Sequence, residues 1–275
     1  MKRTKRILNA IKIVVMAILL ILYVVPFILV LINSFKDRVQ IIMNPLKLPK
    51  SYSLDNFRNA FEKMDYSHAF INSIVITIFS VILIVILSSM TAYILVRKKW
   101  KINQIMFYVF VASMIIPFQG IMIPLVKIYG AVGLLNSKWG LIYMYVGFGA
   151  SLAVFMYHGF IKSIPVELEE AAMIDGCTTI QTFAKIVFPL LKPITMTITI
   201  LDVLWIWNDF LLPSLVLIKP DQRTLPLSTY YFYGTYTVDY GLAMAGLILT
   251  ILPVILFYLF TQKHIINGVL QGSIK

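Results

Sequence analysis

The stretch Glu170-Ala171-Ala172-Met173-Ile174-Asp175-Gly176 decides the fold, because it is a polar, helix-forming island between hydrophobic spans. A hydrophobic ladder and two prolines follow it, at Phe183, Ile186, Pro189 and Pro193. A polar segment with helical signals between two apolar segments predicts a connection at the membrane surface that is itself helical.

Local signals divide this connection into two short helices. Ser163-Ile164-Pro165 predicts a helix start, with the proline tolerated in the first turn, and three glutamates suit the positive end of the helix dipole. Gly176 can adopt a left-handed conformation and stop that helix. Thr178 and Gln181 fit a capping box that begins a second helix, which Pro189 ends. We therefore expect a helix, a glycine turn and another helix.

Two interpretations of this connection remain open from local physics. An amphipathic connector could lie flat on the membrane surface. Alternatively, the connection could dock into a partner protein. The small side chains of Ala171 and Ala172 would allow close approach to a cleft, and Glu170 and Asp175 would meet a basic groove.

The composition is that of an integral membrane protein. Hydrophobic residues make up 60% of the chain, charged residues 13%, and the mean hydropathy is +0.87, whereas soluble domains contain roughly 45–50% apolar residues. The net charge of +12 is dispersed over loops and ends, which indicates membrane orientation and no nucleic-acid partner. Cys177 is the only cysteine, and His68, His158 and His264 lie in different segments. No metal site is expected.

Six apolar segments are long enough to cross a membrane, which takes about 20 residues each. They are residues 10–33, 69–96, 104–128, 139–160, 192–214 and 241–261. The first follows a basic start but is too long for a signal peptide, so we expect an uncleaved anchor. We divide the chain into residues 1–68, an N-terminal membrane helix with an extracellular loop, and residues 69–275, a core of five spans that contains the 161–191 connection.

Basic residues near the spans predict the orientation. They cluster at the N-terminus (Lys2, Arg3, Lys5, Arg6, Lys12) and after the second span (Arg97, Lys98, Lys99, Lys101). Segment 34–68 is basic too, but four acids dilute it and its charges are spread out. We expect a multi-pass cell-membrane protein with both termini, the 97–103 turn and the 161–191 connection in the cytoplasm.

The E-A-A-x-x-D-G spacing with its ladder and prolines resembles the coupling loop of importer-type ABC permeases. Three further segments resemble the sugar-type members of that family. They are Pro117 to Leu141 (Pro117, Pro124, Leu125, Gly133, Leu134, Asn136, Ser137, Gly140, Leu141), Trp207-Asn208-Asp209-Phe210, and the tail Ile266–Lys275. Together they cover most of the chain from about residue 70. The chain is similar to the permeases of maltose and multiple-sugar importers, the maltose-type second permease in particular.

The resemblance implies an all-helical permease fold of six transmembrane helices with a cytoplasmic coupling helix. It also implies a second homologous permease, an ABC ATPase dimer, an extracellular solute-binding protein and a sugar or oligosaccharide substrate. Its ATPase-coupling residues would be Glu170, Ala171, Ala172, Asp175, Gly176, Phe183, Ile186 and Pro189. The sequence has no G-x-x-x-x-G-K-[ST] loop. We therefore expect no cofactor and no enzymatic activity in this chain, with ATP and Mg bound by the separate ATPase.

Polar residues inside the fifth span are candidates for the substrate pathway, because ionisable groups in a membrane are costly. Asp202 and Asp209 are seven residues apart, on one helical face, with Trp205 and Asn208 between them. An aromatic ring can stack on a sugar while amides and carboxylates bond its hydroxyls. The alternative is a pair of acids that hydrogen-bond within the helix bundle and set its packing.

Two other features carry expectations of their own. Pro117, with Met114, Phe118, Gln119 and Met122 around it, predicts a bend or gate in the third span. The tyrosines of the last outer loop indicate an interfacial anchor or, alternatively, contact with the binding protein (Tyr230, Tyr231, Tyr233, Tyr236, Tyr240).

Two other classes of protein compete with an importer subunit. A gradient-driven transporter would show paired charges in several spans and an inverted repeat. A membrane hydrolase would show a catalytic constellation within its spans. The sequence has the two fifth-span acids and no evident repeat.

Overall fold

The computed structural model describes the backbone of residues 2–234 and 238–273 and the side chains of residues 8–234 and 238–262. The described chain is helical, and its only strand-like pairing is an isolated bridge between Tyr233 and Val238. The helices are α1 Lys2–Asn33, α2 Arg38–Met43, α3 Asp55–Lys63, α4 Tyr66–Arg97, α5 Lys101–Ser113, α6 Phe118–Ala131, α7 Lys138–Ile161, α8 Glu167–Ile174, α9 Thr179–Thr182, α10 Phe188–Leu190, α11 Lys192–Asn208, α12 Leu211–Val216, α13 Leu225–Ser228 and α14 Tyr240–Ser273. A π-helical turn, Phe183–Val187, joins α9 to α10. The all-helical prediction is confirmed.

Four described helices are long and apolar enough to cross a membrane: Leu8–Asn33, Tyr66–Arg97, Lys138–Ile161 and Tyr240–Gln262. Two bent helix pairs bring the number to six if each pair is one span. The first pair, α5 and α6, bends by 106°. Residues Met114–Pro117 separate its helices, which confirms the bend expected at Pro117.

The fifth span differs from the continuous segment 192–214 that the sequence predicts. Its apolar helical stretch begins at Thr179, bends by 76° at Leu191 and ends at Asn208. Asp209 leaves the helix with an extended backbone (ψ 131°). The predicted span was wrong at this end because hydropathy alone registers the apolar residues of α12 but not the helix end before them.

The chain divides into two compact parts, residues 1–67 with 228–253 and residues 68–227 with 254–275. A buried lysine organises the first part. Lys36 is 2% exposed, and its ammonium donates to Asn33 Oδ1 (2.9 Å) and to the carbonyls of Asn44 (3.0 Å) and Pro45 (3.2 Å). The Asn56 amide donates to the Lys36 carbonyl at 2.9 Å. This network ties the end of α1 to the segments that follow it.

The second part holds the main apolar core. Ile84 of α4, Tyr145 and Tyr157 of α7 and Leu191 before α11 are fully buried in it. Gly149 allows α4 and α7 to pack closely, because a Cβ there would meet Ile84 Cδ1 at 2.5 Å. The core thus holds the long helices α4 and α7 together and supports α11.

The turn before α7 explains several of the sugar-type residues noted in the sequence. Gly133 and Asn136 adopt left-handed backbones (φ +72° and +55°). The Asn136 side chain accepts hydrogen bonds from the backbone N–H groups of Ile218 (2.7 Å) and Lys219 (3.0 Å). Ser137 caps α7 by accepting from the Gly140 N–H at 3.3 Å. These residues form a turn that is hydrogen-bonded to the residues directly after α12.

Candidate functional site

The segment 161–191 folds as a helix, a glycine turn and further short helices. Gly176 adopts φ +87°, and the Thr178–Gln181 capping box is formed in both directions. Both predictions are confirmed. The first helix begins at Glu167 rather than at Pro165, because Pro165 precedes the N-cap residue Val166 instead of occupying the first turn.

One face of α8 and the turn after it are exposed and carry four of the eight predicted coupling residues. Glu170, Ala171, Asp175 and the turn residue Gly176 are exposed. Beside them lie two highly exposed isoleucines, Ile174 of α8 (86% exposed) and Ile180 of α9 (75% exposed). Leu168 and Met173 are exposed as well. Exposed apolar side chains rimmed by acids are typical of a docking surface.

The opposite face of α8 is buried in the chain and contains Glu169 and Ala172. The expectation that Ala172 approaches a partner's cleft was wrong. Residues three apart share one helical face, so Ala172 follows Glu169 inward. Only Ala171 of the two alanines is available to a partner.

The second half of the segment is partly anchored. Phe183 and Ile186 are half-buried, and Pro189 is exposed. The Phe183 ring lies 5.2 Å from the Tyr93 ring and 5.9 Å from that of Phe188, between centroids. Phe183 therefore joins the π-helical turn to the end of α4, while Pro189 remains free to meet another molecule.

A buried ion pair fastens α8 to the same end of α4. Arg97 Nε and Nη2 lie 2.8 and 2.7 Å from Glu169 Oε1. Arg97 Nη2 also donates to the Ile164 carbonyl at 3.0 Å, and the Tyr93 hydroxyl donates to Glu169 Oε2 at 2.8 Å. Both oxygens of this carboxylate are thus bonded to α4, at a glutamate that is 3% exposed.

Two of the four fifth-span candidates line a cavity between α7 and α11. It has a volume of about 350 Å³, and Asp202 and Trp205 line it together with Phe148, Gly149, Leu152 and Leu201. Asp202 is 5% exposed, and its Oδ2 has no hydrogen-bond partner in the described part of the chain. A buried polar atom without a partner at a cavity wall can bind a ligand hydroxyl.

The other two candidates are placed differently. Asp209 accepts from the Tyr145 hydroxyl at 2.9 Å and from the Leu211 N–H at 3.0 Å. The Tyr145 ring also packs edge-on against Trp205, with centroids 5.5 Å apart. The Asn208 side chain donates to the Leu204 carbonyl of its own helix at 2.7 Å. The structure therefore groups Asp202, Trp205 and, through Tyr145, Asp209, but not Asn208.

A second cavity of about 620 Å³ lies at the bend between α5 and α6. Phe148 and Leu152 line both cavities, so α7 borders the two. The Ser113 and Ser151 hydroxyls form a hydrogen bond of 2.7 Å at this second cavity. Its wall is otherwise largely apolar.

Sequence reasoning missed the residues that support these sites. Tyr145 and Phe148 resemble ordinary apolar residues of a span, and Arg97 counted only as an orienting charge. Glu169 is one of three acids in the first turn of α8. It differs from the other two only in lying on the same helical face as the buried Ala172. The described residues contain no group of three or more His, Cys, Asp or Glu side chains that could hold a metal ion.

Comparisons with known proteins agree with this architecture. Residues 84–270 match the family described as "Binding-protein-dependent transport system inner membrane component". The chain is 47% identical over 258 residues to a probable starch degradation products transport system permease of Thermoanaerobacterium thermosulfurigenes, covering 94% of each chain. It is 37% identical over 279 residues to a multiple sugar-binding transport system permease of Streptococcus mutans, covering all of both chains.

A solved structure shows the same fold. A chain of a bacterial ABC transporter involved in the import of the acidic polysaccharide alginate superimposes with a TM-score of 0.82 at 22% identity. The match covers 95% of this chain and 97% of the other. With the family match over residues 84–270, the chain belongs to the inner-membrane components of binding-protein-dependent transport systems.

Proposed function

We propose that this chain is a permease subunit of an ATP-driven importer for a sugar or oligosaccharide. The relatives are named for starch degradation products, for multiple sugars and, in a Bacillus subtilis protein 35% identical over 260 residues, for melibiose, raffinose and stachyose. These names support a carbohydrate cargo. An extracellular binding protein would deliver it, and a second permease would complete the pathway.

The observation that carries the proposal is the exposed face of α8 and α9. Ile174 and Ile180 are largely bare, and Glu170 and Asp175 flank them. This surface would dock in a cleft of the separate ATPase, where apolar contacts provide affinity and the acids meet basic groups. ATP and Mg would bind to that ATPase, and this chain would hydrolyse nothing. The segment would then lie in the cytoplasm, as would both termini.

The cavity at Asp202 supports a place for the cargo. Trp205 offers a ring face, with 42% of its surface exposed, and the carboxyl of Asp202 offers an oxygen without a partner. Sugars present both apolar ring faces and hydroxyls. We infer that Asp202 and Trp205 contact the cargo as it passes, while Asp209 acts through Tyr145 as a support.

The docking surface can be tested by affinity purification of the chain with its partners. Ile174→Asp places a charge at the most exposed apolar side chain of α8. We expect loss of the ATPase and retention of the second permease. Val132→Asp is the matched control. Val132 is 63% exposed and lies before the start of α7, at the end of that helix opposite to α8. If Ile174→Asp retains as much ATPase as the control, the proposed coupling surface is wrong.

A further inference from the structure

A cationic cavity lies where α4 ends, α5 begins and α7 ends. Its volume is about 310 Å³. Lys98, Lys99, Lys101 and Lys162 line it, and no carboxylate does. Within residues 8–234 and 238–262, none of these four ammonium groups has an ion-pair partner. Neighbouring Arg97, by contrast, is fully engaged by Glu169.

The start of α5 adds to the positive charge. Trp100, its N-cap residue, makes no side-chain capping bond, and the first turn contains Lys101 but no acid. The free N–H groups of a helix start attract anions. Asn103 holds the corner in place, since its amide donates to the carbonyls of Ile94 (3.3 Å) and Lys98 (2.8 Å). Lys98, Lys99 and Lys101 are thus presented on an ordered corner, and Lys162 approaches it from the end of α7.

A buried histidine also faces the cavity. His158 is 8% exposed and lines the cavity, with its ring stacked on that of Phe107 at a centroid distance of 3.8 Å. The described residues provide no hydrogen-bond partner for its ring nitrogens. These nitrogens have access to the cavity, so a polar group of a ligand bound there can form a hydrogen bond with them.

The remaining walls favour an amphiphile over a small inorganic anion. Leu95, Val96 and Phe107 line the cavity beside the lysines, and Trp100 and Tyr108, about three-fifths exposed, stand at its margin. Tryptophan and tyrosine rings of this kind are typical of the membrane–water boundary. Basic pockets between membrane helices bind acidic lipid head groups. We propose that this cavity binds the phosphate-bearing head group of an anionic phospholipid.

The test uses the purified complex that this chain forms, in nanodiscs of phosphatidylglycerol and phosphatidylcholine, with retained lipid counted by native mass spectrometry. The test variant is Lys101→Gln/Lys162→Gln. The control, Lys12→Gln/Lys127→Gln, has the same net charge and changes exposed lysines that do not line the cavity. Each lysine near an anionic lipid contributes about fivefold to attachment, so we expect the test pair to weaken phosphatidylglycerol retention about twenty-five-fold.

Four outcomes decide the proposal. Selective phosphatidylglycerol retention in the unmodified and control complexes, lost in the test pair, supports it. Equal retention in the test and control pairs overturns it, as does equal retention of the two lipids. Inorganic phosphate is added to a delipidated complex as a separate arm. Binding of phosphate with no preference for phosphatidylglycerol would assign the site to a soluble anion and overturn the lipid source.

His158→Phe preserves stacking on Phe107 and should lower the retention of phosphatidylglycerol without loss of assembly.

Discussion

Replacement of Glu169 by alanine should detach α8 from α4. The substitution leaves Arg97 bonded only to the Ile164 carbonyl and removes the acceptor of the Tyr93 hydroxyl. The two charged side chains are 14% (Arg97) and 4% (Glu169) exposed. Removing one partner of a buried ion pair costs about 3–5 kcal/mol. We take the lower end, about 3 kcal/mol, because the guanidinium retains some contact with water.

Such a loss corresponds to about a hundredfold rise in local opening of α8. Hydrogen–deuterium exchange of the α8 amides in the purified complex measures it directly. Glu167→Ala is the control, since Glu167 is exposed in the same turn and interacts mainly with the helix dipole, worth about 0.3–1 kcal/mol. Uptake per ATP hydrolysed should fall in Glu169→Ala and stay near normal in the control.

The double substitution Arg97→Ala/Glu169→Ala completes a thermodynamic cycle. If the pair interacts as the distances indicate, the double variant should lose less protection than the sum of the two single variants. Equal exchange of α8 in Glu169→Ala and Glu167→Ala would refute the argument, as would strict additivity in the cycle.

Three further outcomes follow from single positions. Gly176→Ala forces an alanine into a left-handed backbone conformation (φ +87°), which costs about 1–2 kcal/mol, and should weaken co-purification of the ATPase. Gly159→Ala is the control and should not weaken it, because that position has open space and no positive φ. Asn136→Ala removes two hydrogen bonds of 2.7 and 3.0 Å and should cost about 2 kcal/mol in denaturant unfolding; an unchanged midpoint would contradict this. Asp202→Asn should change the KM of sugar uptake about fivefold, roughly 1 kcal/mol of a hydrogen bond, with assembly intact, whereas Asp221→Asn on an exposed 3₁₀ turn should leave KM unchanged.

The sequence predicted those features that depend on neighbouring residues and missed those that depend on contacts between residues far apart in the chain. Hydropathy found the six apolar segments, and local chemistry found the Gly176 turn and the Thr178 cap, because each depends on a few consecutive residues. The helix end at Asn208 was missed because Asp209 leaves the helix while bonding Tyr145, 64 residues away in sequence.

The candidate site shows the same division. Glu170 and Asp175 are exposed, as docking in a groove would require, but Ala172 is buried, since the buried face of α8 is set by the contact of Glu169 with Arg97. That contact joins residues 72 positions apart. Periodicity in one short helix cannot choose which face turns inward when both faces contain acids and alanines.

The tyrosines before α14 are placed only in part. Tyr230, Tyr231, Tyr233 and Tyr240 have exposed rings, in agreement with an anchor or a contact surface, and Tyr236 lies outside the described residues. The side chains of the tail segment 266–275 lie outside them as well. Their assignment to the interface and to the cytoplasm stays a prediction.

The buried ammonium of Lys36 bears on how the chain is threaded through the membrane. Segment 34–68 contains six basic residues, which would oppose its export under a simple count of positive charge. Lys36 is enclosed by an amide oxygen and carbonyls, and burial lowers its pKa. Arg58 lies 3.3 Å from Glu62 on α3. Two of the six cations therefore have partners within the segment itself, Lys36 among neutral oxygens and Arg58 beside a carboxylate. If segment 34–68 is exported, as the sequence predicts, these two side chains are satisfied locally on that side of the membrane.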